Sequence, residues 1–131
     1  MFANPPDNSR SATLDDGRKV DEWGLVYKPA MLNGELLYYD VIESPLAFAK
    51  TVKDVETYDW HDPLDPGRTR GLREKTAAVR NNGDYALVGH MGDTAIFQQC
   101  CLIRGMEQLF VDLMVEKDVA HALLNTVTEI Q

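Results

Sequence analysis

The sequence has little that suits a membrane or a polyanion. Its 131 residues contain no apolar run near the roughly 20 residues that a bilayer-spanning helix needs. Its 13 lysines and arginines face 21 aspartates and glutamates, a formal net charge of -8 at pH 7. Because nucleic acids and anionic lipids attract basic proteins, we expect neither as a partner. The first residues lack the charged-then-apolar pattern of a secretory signal, so we expect a cytoplasmic protein.

Cysteine is scarce, and its placement excludes a disulfide framework. The two cysteines, Cys100 and Cys101, are adjacent in a segment with a helical pattern. Neighbouring helical side chains point about 100° apart, which prevents an ordinary disulfide between them. We therefore expect small buried core residues, and no metal site within this chain.

The first third of the chain has the pattern of antiparallel strands. Asp16-Gly17 tolerates the backbone of a tight turn and predicts a small hairpin. Two runs rich in Val, Leu and Tyr, over residues 23–28 and 35–42, predict a second hairpin with a loop over 29–34. Residues 11–42 are thus predicted to be antiparallel β structure. Residues 1–12 are expected to be flexible.

The remainder is predicted to be mostly helical. Ser44-Pro45-Leu46 begins a short helical stretch, and Thr51 is a candidate N-cap. Asp65-Pro66 predicts the start of a helix over 66–81. Further helices are predicted over 94–104, 106–115 and 117–130, with Gly105 separating the first two. The helix over 106–115 should bury Leu109, Phe110, Leu113 and Met114 on one face.

One short apolar run, Tyr85-Ala86-Leu87-Val88-Gly89, predicts a buried strand ahead of a helix. In α/β proteins the loop after such a strand commonly carries ligands and catalytic groups. His90 lies there and can change charge near neutral pH, which makes it a candidate catalytic residue, with a structural histidine as the alternative. The turn that follows, Met91, Gly92 and Asp93, is a candidate substrate-binding segment, although Asp93 is also placed to cap a helix.

Four segments in order carry a resemblance to a known family. They are Asp21-Glu22-Trp23-Gly24-Leu25-Val26-Tyr27, Ser44-Pro45-Leu46-Ala47, Tyr58-Asp59-Trp60-His61-Asp62-Pro63-Leu64-Asp65-Pro66 and Leu102-Ile103-Arg104-Gly105-Met106-Glu107. Together they resemble the amino-terminal half of the uroporphyrinogen decarboxylase superfamily. This superfamily includes tetrapyrrole decarboxylases and methyltransferases that exchange methyl groups with corrinoid proteins or thiols. The resemblance extends over residues 13–130.

The resemblance implies an α/β fold: a partial TIM barrel with a β-hairpin excursion and a mostly helical carboxyl-terminal part. Residues 20–26 and 85–89 would be barrel strands, and residues 28–42 the excursion. Residues 1–131 would then form a single incomplete domain. An incomplete barrel leaves an open sheet edge, through which self-association is expected.

The resemblance also implies the chemistry. The substrate would be a small molecule, a tetrapyrrole or a methyl donor. Decarboxylases of the superfamily resemble one another in an arginine-rich stretch near the amino terminus. Here only Arg10 and Arg18 precede the first strand, neither in such a motif, which favours corrinoid-linked methyl transfer over decarboxylation. The zinc site of the methyltransferases lies in their carboxyl-terminal half, so zinc and a corrinoid partner are expected only of a complete protein.

Two residues of the first segment are candidate site residues. Asp21 matches the family's motif position, and a carboxylate there would orient a ring nitrogen or transfer a proton; the alternative is an exposed acid at a strand start. Trp23 would stack on a flat ligand or pack in the core. Two other hypotheses stay open: the chain is a noncatalytic half-barrel remnant or small binding module, or it is an independent small α+β protein.

Overall fold

The computed structural model describes residues 4–88 and 94–131. Four strands come first: β1 Ala12–Thr13, β2 Lys19–Val20, β3 Val26–Leu32 and β4 Glu35–Glu43. Five α-helices follow: α1 Val52–Glu56, α2 Leu72–Asn81, α3 Ile96–Arg104, α4 Met106–Met114 and α5 Lys117–Ile130. A 3-10 helix spans Pro66–Thr69. The predicted combination of strands first and helices afterwards is confirmed.

The strands form one antiparallel sheet in the order β1-β2-β3-β4. Both predicted hairpins are present, but the second has a tighter turn than expected. Asn33 and Gly34 have φ angles of 52° and 83°, the left-handed conformation that a two-residue hairpin turn requires. Pro29 therefore lies within β3, opposite Tyr39, and not in a loop.

The helices begin where local signals place them, with one break. Thr51 caps α1 through a reciprocal pair of hydrogen bonds with Asp54, so the predicted N-cap is confirmed. The single helix predicted over 66–81 is divided, because Gly71 has a φ of 70° between the 3-10 helix and α2. The helical stretch predicted after Ser44 is a series of turns.

The core lies among the helices and not under the sheet. Buried side chains come from α1, α3, α4, α5 and the turn after β4: Leu46, Val55, Cys100, Cys101, Ile103, Leu109, Val119, Ala120, Leu123 and Val127. The expectation that one or both cysteines are core residues is confirmed, since both are buried. On α4 the predicted inward positions Phe110 and Met114 are wrong, since both are at least half exposed, while Asp112 is fully buried.

The strand predicted over residues 85–89 is wrong for the described part. Residues 85–88 have no regular secondary structure, and their side chains are exposed. Within the described residues the sheet consists of β1 to β4, and residues 85–88 do not belong to it. Over residues 4–88 and 94–131 the structure contains no parallel pair of strands. The α/β content is confirmed, but a TIM barrel is not shown.

No helix within the described ranges is both long enough and apolar enough to cross a bilayer.

Candidate functional site

The loop between β2 and β3 is organised by Asp21. Its Oδ1 accepts hydrogen bonds from the backbone N–H groups of Trp23 at 3.0 Å and Leu25 at 2.9 Å. Its Oδ2 accepts a hydrogen bond from the Tyr27 hydroxyl at 2.9 Å. Burial raises the pKa of Asp21 above its ordinary value, and these hydrogen bonds oppose that rise. Both carboxylate oxygens thus hold the loop and Tyr27 in place.

Gly24 lets this loop approach its neighbour. It has a φ of 84°, and a Cβ at this position would collide with the Tyr58 hydroxyl. That hydroxyl donates a hydrogen bond to the Trp23 carbonyl at 2.7 Å and accepts one from the Arg10 guanidinium at 3.0 Å. The loop is therefore bound directly to the segment that follows α1.

Four rings meet at this junction and form what we call the Trp23 cluster: Trp23, Tyr58, Trp60 and His61. The Trp23 ring makes edge-to-face contacts with His61, at a centroid separation of 4.3 Å, and with Trp60, at 6.3 Å. Tyr58 and Trp60 are similarly arranged at 4.8 Å. The Trp60 Nε1 donates a hydrogen bond to the Val55 carbonyl at 2.9 Å, which fixes the cluster on α1.

An ion pair lies beside the cluster. Arg68 of the 3-10 helix contacts Glu22 at 2.9 Å, and both side chains are mostly buried. Burial lowers the pKa of His61, the Glu22 charge opposes this shift, and the Arg68 charge adds to it. The His61 imidazole is therefore neutral at pH 7. Its Nδ1 is buried and makes no hydrogen bond within the described part of the chain.

A second junction joins the turn after β4 to α3 and α4. The Arg104 guanidinium contacts the Asp112 carboxylate through Nε at 2.6 Å and through Nη2 at 3.2 Å. Its Nη1 donates to the Leu46 carbonyl at 2.6 Å. Arg104 and Asp112 are 3% and 0% exposed. This buried pair was not predicted from the sequence.

Of the predicted site residues, the structure describes Asp21 and Trp23. Asp21 and Trp23 lie in one loop, two residues apart, as the first segment implied. His90, Met91, Gly92 and Asp93 lie outside the described residues, so their roles stay predictions. His61 and Arg68 adjoin Trp23 and were not predicted to do so; the only sequence signal for His61 was its position in one of the four family-like segments.

The described residues offer no obvious metal ligands. Among them, no group of three or more His, Cys, Asp or Glu side chains is arranged to hold a metal ion. Burial raises the pKa of Cys100 to about 12, which keeps its sulfur as a thiol and makes it a poor ligand or nucleophile.

Comparison with known proteins identified no match among family models, curated proteins or solved structures.

Proposed function

We propose that this chain is the amino-terminal part of a uroporphyrinogen decarboxylase-like enzyme, with corrinoid-linked methyl transfer favoured over tetrapyrrole decarboxylation. The Trp23 cluster would form one wall of the cleft that binds a small-molecule substrate. The observation that carries this proposal is that the four family-like segments meet in pairs in the folded chain.

The first and third segments meet at the Trp23 cluster. Tyr58 donates its hydroxyl to the Trp23 carbonyl, and the Trp23 ring contacts both Trp60 and His61. These residues lie about 35 positions apart in the sequence.

The second and fourth segments meet at the buried arginine. Arg104 donates to the Leu46 and Ala47 carbonyls, and the Leu46 N–H donates to the Ile103 carbonyl at 3.0 Å. The same residues that suggest the family therefore hold the turn after β4 against α3. This pairing supports the view that the segments were selected together as parts of one fold.

At this wall, the side chains of the Trp23 cluster would bind and orient the substrate. The Trp23 ring is partly buried against the core, and its exposed part would contact a flat ring system, with neutral His61 and the Glu22–Arg68 ion pair beside it. Asp21 acts as a positioning residue, because its oxygens hold the loop that carries Trp23. The described residues supply no ligand set for zinc. On this proposal, zinc, the corrinoid partner and the strands that complete a barrel lie outside the described residues.

The proposal is tested with the complete product of the gene. Methyl transfer to a corrinoid and bound zinc are measured in wild type and in His90→Ala and Trp23→Phe variants. We expect methyl transfer in wild type, reduced turnover for His90→Ala and a raised KM for Trp23→Phe. A complete product that transfers no methyl group and decarboxylates no tetrapyrrole would refute the proposal.

A noncatalytic binding module is a second candidate, and the β3–β4 hairpin favours it. Near its turn five large apolar side chains are about half exposed or more: Met31, Leu32, Leu36, Leu37 and Tyr38. Exposed apolar patches of this kind commonly mark interaction sites. The edge strand β4 carries the acids Glu35, Asp40 and Glu43 and two irregularities in register, features that oppose strand-to-strand self-association.

Sedimentation velocity over a range of concentrations distinguishes self-association through the exposed apolar faces of the hairpin from self-association through the open edge of β4. If the faces of the hairpin mediate self-association, Leu36→Lys should abolish it. If the open edge of β4 does so, a proline at an edge position should abolish it instead. A monomer at every concentration would contradict self-association through either surface.

A further inference from the structure

At the start of α3, the first backbone N–H groups have no capping side chain among the described residues. The first N–H groups of any α-helix, here those of Ile96, Phe97 and Gln98, have no partner inside the helix. The N-cap residue is Ala95, which has no polar side chain to cap them, and the first turn contains no acidic residue. Over residues 4–88 and 94–131, the structure shows no side chain that caps this end of α3.

A buried side-chain donor lies at the same end of the helix. Gln99 is only 3% exposed, and its Oε1 accepts a hydrogen bond from the Thr94 hydroxyl at 2.5 Å. This distance suits an O–H···O bond. Its Nε2 is buried and has no hydrogen-bond acceptor among the described residues.

The contact with Thr94 places this donor relative to the helix. Thr94 precedes the first residue of α3, and helical side chains lean toward the amino terminus of their helix. The Gln99 carboxamide therefore lies at the amino-terminal end of α3, on the buried side. A buried donor without an acceptor is unfavourable, so an acceptor at this position would stabilise the fold.

We propose that the start of α3 binds a small oxyanion, a carboxylate or a phosphate. One oxygen would accept from the N–H groups of Ile96 and Phe97, and a second from the Gln99 Nε2. The helix dipole favours negative charge at this end, and no acidic side chain of the first turn already occupies it. The site is defined by residues 94–99 alone and does not depend on the proposed enzymatic function.

The test is a titration followed by ¹H–¹⁵N NMR, with inorganic phosphate in one series and acetate in another. Ionic strength is held constant with sodium chloride. We expect saturable shifts of the Ile96 and Phe97 amides and of the Gln99 side-chain NH₂, with a Kd on the order of 1–10 mM. Saturation by phosphate alone assigns a phosphate site, and saturation by both assigns a general oxyanion site. Linear shifts, or shifts centred on Arg73 and Arg80 of α2, would overturn the proposal.

Two variants and a matched control sharpen the result. Gln99→Met removes the donor at similar side-chain length and should weaken binding at least about tenfold. Gln98→Met makes the same change at an exposed neighbour and should leave the Kd unchanged. Ala95→Asp supplies a carboxylate from the chain itself, so it should abolish anion binding while raising the Tm. Undiminished binding by Ala95→Asp would also overturn the proposal.

Discussion

The buried pair of Arg104 and Asp112 makes a sharp prediction about stability. Asp112→Ala leaves the guanidinium in a site where it is 3% exposed, without the carboxylate that it contacts through two nitrogens. Removing one partner of a buried ion pair typically costs about 3–5 kcal/mol. Because Arg104 keeps the Leu46 and Ala47 carbonyls as acceptors, we expect the free energy of unfolding to fall by about 3 kcal/mol.

The assay is equilibrium unfolding in guanidinium chloride, followed by far-UV circular dichroism. A typical domain has an unfolding free energy of about 5–15 kcal/mol, so the expected loss is readily measured. Glu107→Ala, at an exposed acid on the same helix, should change the free energy by less than about 1 kcal/mol.

The double variant Arg104→Met/Asp112→Leu provides a further check. It removes both charges together and should be more stable than Asp112→Ala. If Asp112→Ala cost less than about 1 kcal/mol, the pair would not hold the second junction as we describe.

Three further predictions concern the loop and the core. Gly24→Ala forces a side chain into a backbone with a φ of 84° and against the Tyr58 hydroxyl, so it should lower the free energy of unfolding by about 1–3 kcal/mol, measured by chemical denaturation. Because burial raises the pKa of Asp21, its contribution is complete below its ordinary pKa of 3.8 and is lost as the pH rises through the folded value. The stability of wild type relative to Asp21→Asn should therefore decline as the pH rises above about 4; a constant difference would contradict the assigned direction. Cys100 and Cys101 should react with a thiol reagent only at the rate of unfolding, and rapid labelling of the native protein would contradict their burial.

Features set by neighbouring residues could be predicted from the sequence. The Thr51 cap and the Asp16-Gly17 turn depend on side chains and backbone angles within four residues, and both are present as predicted. The apolar spacing of α5 gave its bounds, because its buried face repeats with the helical period.

Features that depend on distant partners could not be predicted. Nothing local shows that Arg104 will meet Asp112 and Leu46, or that His61 will contact Trp23. Residues 85–88 make the same point in reverse. A short apolar run suits a strand, but only a pairing neighbour makes it one, and the sheet of the described residues ends at β1 and β4.

The candidate site shows the same difference between what neighbouring residues determine and what distant partners determine. The resemblance singled out Asp21 and Trp23, which lie in one loop, and their part in a substrate site stays a prediction. It gave no indication that both oxygens of Asp21 would be used to hold that loop. The role of Asp21 in acid-base chemistry stays a prediction.

The most direct test of the proposed substrate wall uses the chain's own fluorescence. Its only two tryptophans, Trp23 and Trp60, both belong to the Trp23 cluster, so their emission reports on that site alone. The measurement is quenching by uroporphyrin and by methylcobalamin, in wild type and in Trp23→Phe, with N-acetyltryptophanamide as the control for absorption by the ligand. We predict saturable quenching of wild type by at least one of the two ligands, and a weaker apparent affinity in Trp23→Phe. Quenching that never saturates and matches N-acetyltryptophanamide would contradict the proposal that the Trp23 cluster is the wall of a substrate cleft.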